Sequence, residues 1–254
     1  MSDAVHTEFS DGVAVITINR PEARNAVNLS VAEGIAAALD ALDTRDDLSV
    51  GILTGAEGTF CSGMDLKAFL TGERPSIEGR GFGGLTDAPP RKPLIAAVEG
   101  YALAGGCELA LACDLIVAAD NAKFGIPEVK RGLVAAAGGL LRLPQRLPYQ
   151  IAMELALTGA FLDARRAHDH GLVNRLTEPG GALHGARELA AAVATNGPLA
   201  VRVSKEIVQG SAAWPAAEAG ERQKVLVEPV FASADAEEGA RAFAEKRAPR
   251  WTGR

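Results

Sequence analysis

The stretch from Gly100 to Asp114, "GYALAGGCELALACD", sets three glycines and one internal acid, Glu108, in an otherwise apolar run. An ionised carboxylate without a partner is costly in a low-dielectric interior, so Glu108 is either neutralised by its surroundings or placed there for chemistry. Gly105 and Gly106 open a segment rich in Ala and Leu. A glycine pair at a helix start leaves backbone N–H groups unobstructed and adds the positive end of the helix dipole, which suits a developing oxyanion. Two other segments again combine small residues with an acid: "GTFCSGMDLKAF", Gly58 to Phe69, and "AKFGIPEVKRGLVAAAGG", Ala122 to Gly139, which carries Glu128.

These residues need elements to hold them. "GVAVITIN" alternates apolar residues from Val13 to Ile18 and reads as a strand, and "SVAEGIAAALDALD" reads as a helix opened by Ser30 and Glu33 in capping-box spacing. "SVGILTG", "KPLIAAVEG" and "CDLIVAAD" have strand length, are rich in Val and Ile, and read as strands buried on both faces. Between the last two, Ala104 to Ala112 reads as a helix starting at Gly105-Gly106. Strands alternating with helices point to a layered α/β fold. After about Gly180 only helical patterns follow, the last given a cap by Asp235 and Glu238. Leu70 to Pro93, dense in Gly, Pro and charge, reads as loop.

Several function classes drop out. The 254 residues are 48% hydrophobic, ample for a packed core, and 32 acids against 26 bases leave a net charge of -6 with no basic run to track a nucleic acid. Gly79, Gly81 and Gly84 have GxGxxG spacing, but charges precede them and prolines follow, so no dinucleotide fingerprint is expected. Cys61, Cys107 and Cys113 lack metal-site spacing and read as buried free thiols, which fits a reducing cytoplasm. His168 and His170, two apart, lack the spacing of a helical zinc pair, so no metal is expected. No window has the length of a membrane span, and the first residues carry no export pattern.

The sequence resembles the enoyl-CoA hydratase/isomerase, or crotonase, family. The match runs in order through "RPEARNAVN", "FCSGMDL", "KPLIAAVEGYALAGGCELALACD", "FGIPE", "ALTGAFLDARRAHDHGLVN" and "FAEKR". The resemblance implies a crotonase-like layered fold of repeated ββα units. Residues 1–190 would form the α/β core, and 191–254 a helical portion serving oligomerisation and CoA capping. It further implies an oxyanion hole from the N–H groups of Met64 and Gly105, with Glu108 and Glu128 as paired catalytic acids. CoA contacts would come from Arg24, Ala26, Ser62, Lys67 and, across a subunit boundary, Lys246. The implied reaction is addition of water to a 2-enoyl-CoA, CoA being part of the substrate and no separate cofactor needed. The implied assembly is a homotrimer or hexamer.

Within that family the alternatives are a double-bond isomerase, which can work with one base, and a carnitinyl-CoA dehydratase-like enzyme, which the tail segment and "LRLPQRLP" resemble. A non-catalytic acyl-CoA-binding scaffold is the alternative outside enzymes. Two departures bear on pocket shape: Ala104 stands where many hydratases have a third glycine, and "GLVAAAGG" replaces a proline-containing turn after Glu128.

Overall fold

The computed structural model describes residues 4–254; Met1, Ser2 and Asp3 of the N-terminal segment read above lie outside them. Strands β1 (Val5–Ser10) and β2 (Val13–Ile18) form an antiparallel hairpin. Its two-residue turn is Asp11-Gly12, both at positive φ, the Asp-Gly pairing whose twist suits a tight hairpin. After β2 come helix α1 (Leu29–Thr44), strand β3 (Val50–Gly55) and the short helix α2 (Leu66–Leu70). A small hairpin, β4 (Ser76–Ile77) and β5 (Gly81–Phe82), interrupts the expected loop. Strands β6 (Leu94–Val98) and β7 (Tyr101–Leu103) then lead into α3 (Gly105–Ala112), and β8 (Leu115–Ala119) and β9 (Lys123–Gly125) into a 3-10 turn, Pro127–Arg131.

The main sheet has the order β1-β2-β3-β6-β8-β11, where β11 is Arg175–Thr177, and all pairs beyond the first hairpin are parallel. Beside it, β7 and β9 run parallel and β10 (Leu162–Asp163) closes a three-stranded sheet. Each passage from the large sheet to the small one and on to a helical turn, as in β6-β7-α3, is a ββα unit.

The inner strands β2, β3, β6 and β8 are covered on both faces, as parallel sheets require, while the edge strand β1 is largely exposed. Although β2 reads as an alternating strand, Val13 and Val15 pack with Ala182, Ala186 and Ala190 on one side while Ala14, Ile16 and Ile18 join α1 on the other. The alanines recur at every fourth position along α7 (Ala182–Ala194) and present a small-residue stripe to the sheet. Helix α4 (Gly139–Arg146) packs on α3, α5 (Tyr149–Thr158) on α4 and the 3-10 turn, and α6 (Ala164–Asp169) against β9 and β10, while α8 (Pro198–Ser211), α9 (Ala216–Phe231) and α10 (Ala234–Glu245) form the tail. No helix among the described residues is long and apolar enough to cross a membrane.

Two caps differ from the sequence reading. Helix α1 is capped by Asn28, whose side chain accepts from Val31 N at 3.0 Å, so Ser30 and Glu33 lie inside the helix. Helix α10 is capped by Ser233, accepting from Ala236 N. Asp235 is instead buried and accepts from the backbone N–H groups of Thr252 and Gly253, while Glu238 pairs with Arg247. In both helices a residue with extended backbone just ahead of the first turn reaches the orphan N–H groups better than one already in it.

Candidate active site

The segment Cys61–Asp65 is clamped between two neighbours. On one side it bridges Val27: Val27 N donates to Gly63 O at 2.8 Å and Asp65 N to Val27 O at 2.9 Å. On the other, Cys61 N donates to Tyr101 O and Leu103 N to Cys61 O. Because successive N–H groups of an extended chain point to opposite sides, the bonds to Val27 turn the Met64 N–H away from it. Among the described hydrogen bonds that N–H has no acceptor.

Gly63 brings this segment against the start of α3. Its φ of 102° is a glycine conformation, and a Cβ there would lie 2.8 Å from Ala104 Cβ and 3.2 Å from Gly105 N. Gly105, the first residue of α3, carries one of the first-turn N–H groups that have no intrahelical acceptor. Ala104 turns the chain from β7 into the helix at a φ of 52° and ψ of -128°, a region costing a residue with a Cβ about 1–3 kcal/mol. It is held at both ends: Ala104 N donates to Gly125 O and its carbonyl accepts from Glu108 N. The alanine that departs from the family pattern thus sits at a positive φ that favours glycine.

Glu108, 3% exposed, lies one turn into α3. Its Oε1 accepts from Ala137 N at 2.8 Å and Gly139 N at 2.9 Å. The altered "GLVAAAGG" segment therefore supplies the amides that orient this carboxylate. Burial pushes Glu108 up to about 6; the two amides and Arg142 oppose the shift and Glu128 adds to it. Glu128 sits on the 3-10 turn after β9. Its Oε2 is buried without a hydrogen-bond partner, and burial raises its pKa as well.

Met64, Gly105, Glu108 and Glu128 all line one cavity of about 1270 Å³. Arg24, Ala26, Ser62 and Lys67 line it too, with Arg74, Lys130 and Arg131 adding positive charge. Lys246 is not among the cavity's lining residues; it terminates α10 in a left-handed conformation. The three cysteines are buried free thiols. Burial pushes Cys107 and Cys61 up to about 12, so neither is a ready nucleophile.

Three features escaped the sequence reading. Arg20 pairs with Asp65 at 2.9 Å and donates to Ala26 O, tying together the two segments that carry Arg24 and Met64. Asn25, fully buried, donates to Ala56 O and Thr59 O and accepts from Arg20 N, fixing the turn. Arg142 donates to Thr86 O and Ala137 O, joining the hairpin loop to the amides that hold Glu108. "RPEARNAVN" contained the first two as a polar cluster inside a turn; nothing local signalled the third.

The family model of enoyl-CoA hydratase/isomerase matches residues 8–254. Carnitinyl-CoA dehydratases of Salmonella typhi and Escherichia coli are 43% and 44% identical, each alignment covering 100% of both chains. Among solved structures, an enoyl-CoA hydratase of Mycobacterium marinum superposes with a TM-score of 0.98 at 60% identity, covering 100% of both chains. A carnitinyl-CoA hydratase of Mycobacterium avium follows the same path with a TM-score of 0.80 at 41% identity, again over 100% of both chains. With the full-length match and the shared fold, the chain belongs to the enoyl-CoA hydratase/isomerase family.

Proposed function

We propose that the protein hydrates 2-enoyl-CoA thioesters, reversibly adding water across the double bond. The observation that carries this reading is the meeting of two carboxylates of raised pKa and two backbone N–H donors, on Met64 and Gly105, at one cavity. The thioester oxygen accepts from the two N–H groups, which stabilise the charge it gains as the β-carbon is attacked. Glu108 takes a proton from the attacking water and Glu128 delivers one to the α-carbon. The pair holds one proton before and after, first on Glu128 and then on Glu108, so the two titrate as a unit.

The cationic side chains at the cavity suit the phosphates of CoA, with Lys67 three residues beyond Met64 and Arg24 on the turn whose carbonyl accepts from Ser62 N. In a homotrimer or hexamer, Lys246 of one protomer reaches the CoA held by its neighbour. An isomerase needs only one of the two acids, and a scaffold neither, so the pair favours water chemistry.

The relatives named carnitinyl-CoA dehydratase support a second reading, in which the acyl group carries a quaternary ammonium. Such a cation is held by open aromatic faces. Two of the cavity's phenylalanines already face the protein's own cations: Arg74 lies 4.1 Å from the centre of the Phe69 ring, and Lys130 lies 5.5 Å from that of Phe161. Among the described residues that leaves Phe82 alone, too few faces for an aromatic cage, so a neutral acyl group is the better fit. Comparing kcat/KM for crotonyl-CoA and crotonobetainyl-CoA tests this; we expect crotonyl-CoA to be preferred, and a clear preference for crotonobetainyl-CoA establishes the second reading.

A further inference from the structure

The third phenylalanine of the cavity, Phe82, is placed differently from the other two. It ends β5, and its ring points at the first residue of α3: a Cβ on Gly105 would lie 2.5 Å from Phe82 Cζ and 2.6 Å from Cε1. The ring tip therefore rests on the backbone of the residue whose N–H faces the thioester. Gly105 and Glu108 are three apart on α3 and share a face, so the ring stands within one turn of the carboxylate.

The hairpin that carries Phe82 is pinned. Gly83 packs against Leu109 of α3, its would-be Cβ 2.8 Å from Leu109 Cδ2, and Gly83 N donates to Pro75 O. Leu85 and Thr86 are buried, and Thr86 O accepts from Arg142 Nη2 at 2.6 Å. A ring so anchored is a wall rather than a flap. Leu103, Leu133 and Val134 add apolar surface to the same cavity.

Resting on the hydratase reading, we infer that Phe82 is a specificity-determining residue: its ring bounds the space for the acyl group and makes the site select compact acyl chains over long ones. An acyl chain leaving a carbonyl held at Gly105 meets this ring within a few carbons. Truncating it opens the path, and enlarging it narrows the path further.

The test is the ratio of kcat/KM for trans-2-decenoyl-CoA to that for crotonyl-CoA, measured for the parent protein, Phe82→Ala, Phe82→Leu and Phe82→Trp. Single-methylene differences in apolar pockets are worth about 10- to 200-fold, so we expect Phe82→Ala to raise the ratio by roughly tenfold or more. Phe82→Leu should raise it less, and Phe82→Trp should lower it. The leucine variant, closest in volume, carries the test if the alanine variant fails to fold. A ratio unchanged within about twofold across the folded variants overturns the inference. A parent protein that hydrates no enoyl-CoA overturns the hydratase reading instead. The same ratio, read from binding of decanoyl-CoA and butyryl-CoA, then decides the role of Phe82 by the same criterion.

Discussion

All eight residues of α3 are buried, whereas none of the sixteen in α9 is. Helix α3 is apolar on every side save Glu108 and is held by β7, α4 and the Cys61–Asp65 segment, so the position of its first N–H and of its one acid is set by packing within a single protomer. The tail leaves Val208, Val225, Phe231 and Phe243 at 68–88% exposure and draws its order from polar contacts instead. Asp235 receives the chain terminus, Glu238 grips Arg247, and Trp251 Nε1 donates to Thr195 O. Chemistry needs groups fixed to within a fraction of an ångström, which dense packing supplies. Apolar side chains left exposed on a helical tail instead suit association.

The comparison breaks most sharply at Gly105. Replacing it by proline deletes the N–H, but the new ring would strike Phe82, so the substitution belongs in a Phe82→Ala background. Relative to Phe82→Ala alone, we expect kcat for crotonyl-CoA hydration to fall by about 100- to 1,000-fold, the usual cost of an oxyanion donor. Met64→Leu, which keeps the backbone donor, should stay within a few-fold. Equal rates for the proline variant and its background would remove Gly105 from the oxyanion hole.

The next effect is in pH. Glu108 must be ionised to accept a proton, and burial raises it from its ordinary value to about 6. A raised carboxylate regains its proton earlier as pH falls, so on the acid side log kcat/KM should drop by about one unit per pH unit below about 6. An acid limb near 4.5, the ordinary glutamate value, would show that burial does not govern this group.

The tail gives the smallest effect on chemistry. Asp235→Ala removes the acceptor of the Thr252 and Gly253 N–H groups, at a cost of about 1–3 kcal/mol. We expect faster hydrogen exchange at those two amides and through α10, with kcat for hydration within twofold of the parent. Unchanged exchange would show that the terminus is held by other contacts.

Much of the core was legible because its cues are local. Gly105-Gly106 followed by Ala and Leu announced α3 at the residue where it starts, and the Val- and Ile-rich runs announced β3, β6 and β8. Glu108 stood out as an acid in an apolar run. Glu128 did not; an acid after Ile126-Pro127 is ordinary in a turn, and only the ordered resemblance paired it with Glu108. The two caps were misplaced because Asn28 and Ser233 compete with equally suitable neighbours for the same N–H groups, and backbone angles decide the winner. Arg142 reaching Thr86 and Phe82 resting on Gly105 join residues 56 and 23 apart, and no periodicity encodes such meetings.

The central claim is that Glu108 and Glu128 act as a pair, one taking a proton from the attacking water and the other giving one to the α-carbon, and the turnover of Glu108→Gln and Glu128→Gln with crotonyl-CoA tests it most directly. An amide keeps the shape of the carboxylate and can still accept from Ala137 N and Gly139 N, but it cannot exchange a proton. The account predicts that each variant binds CoA as the parent does and loses about 100- to 10,000-fold in kcat, with the double variant little worse than either single one. A loss of only about twofold in either variant would contradict it.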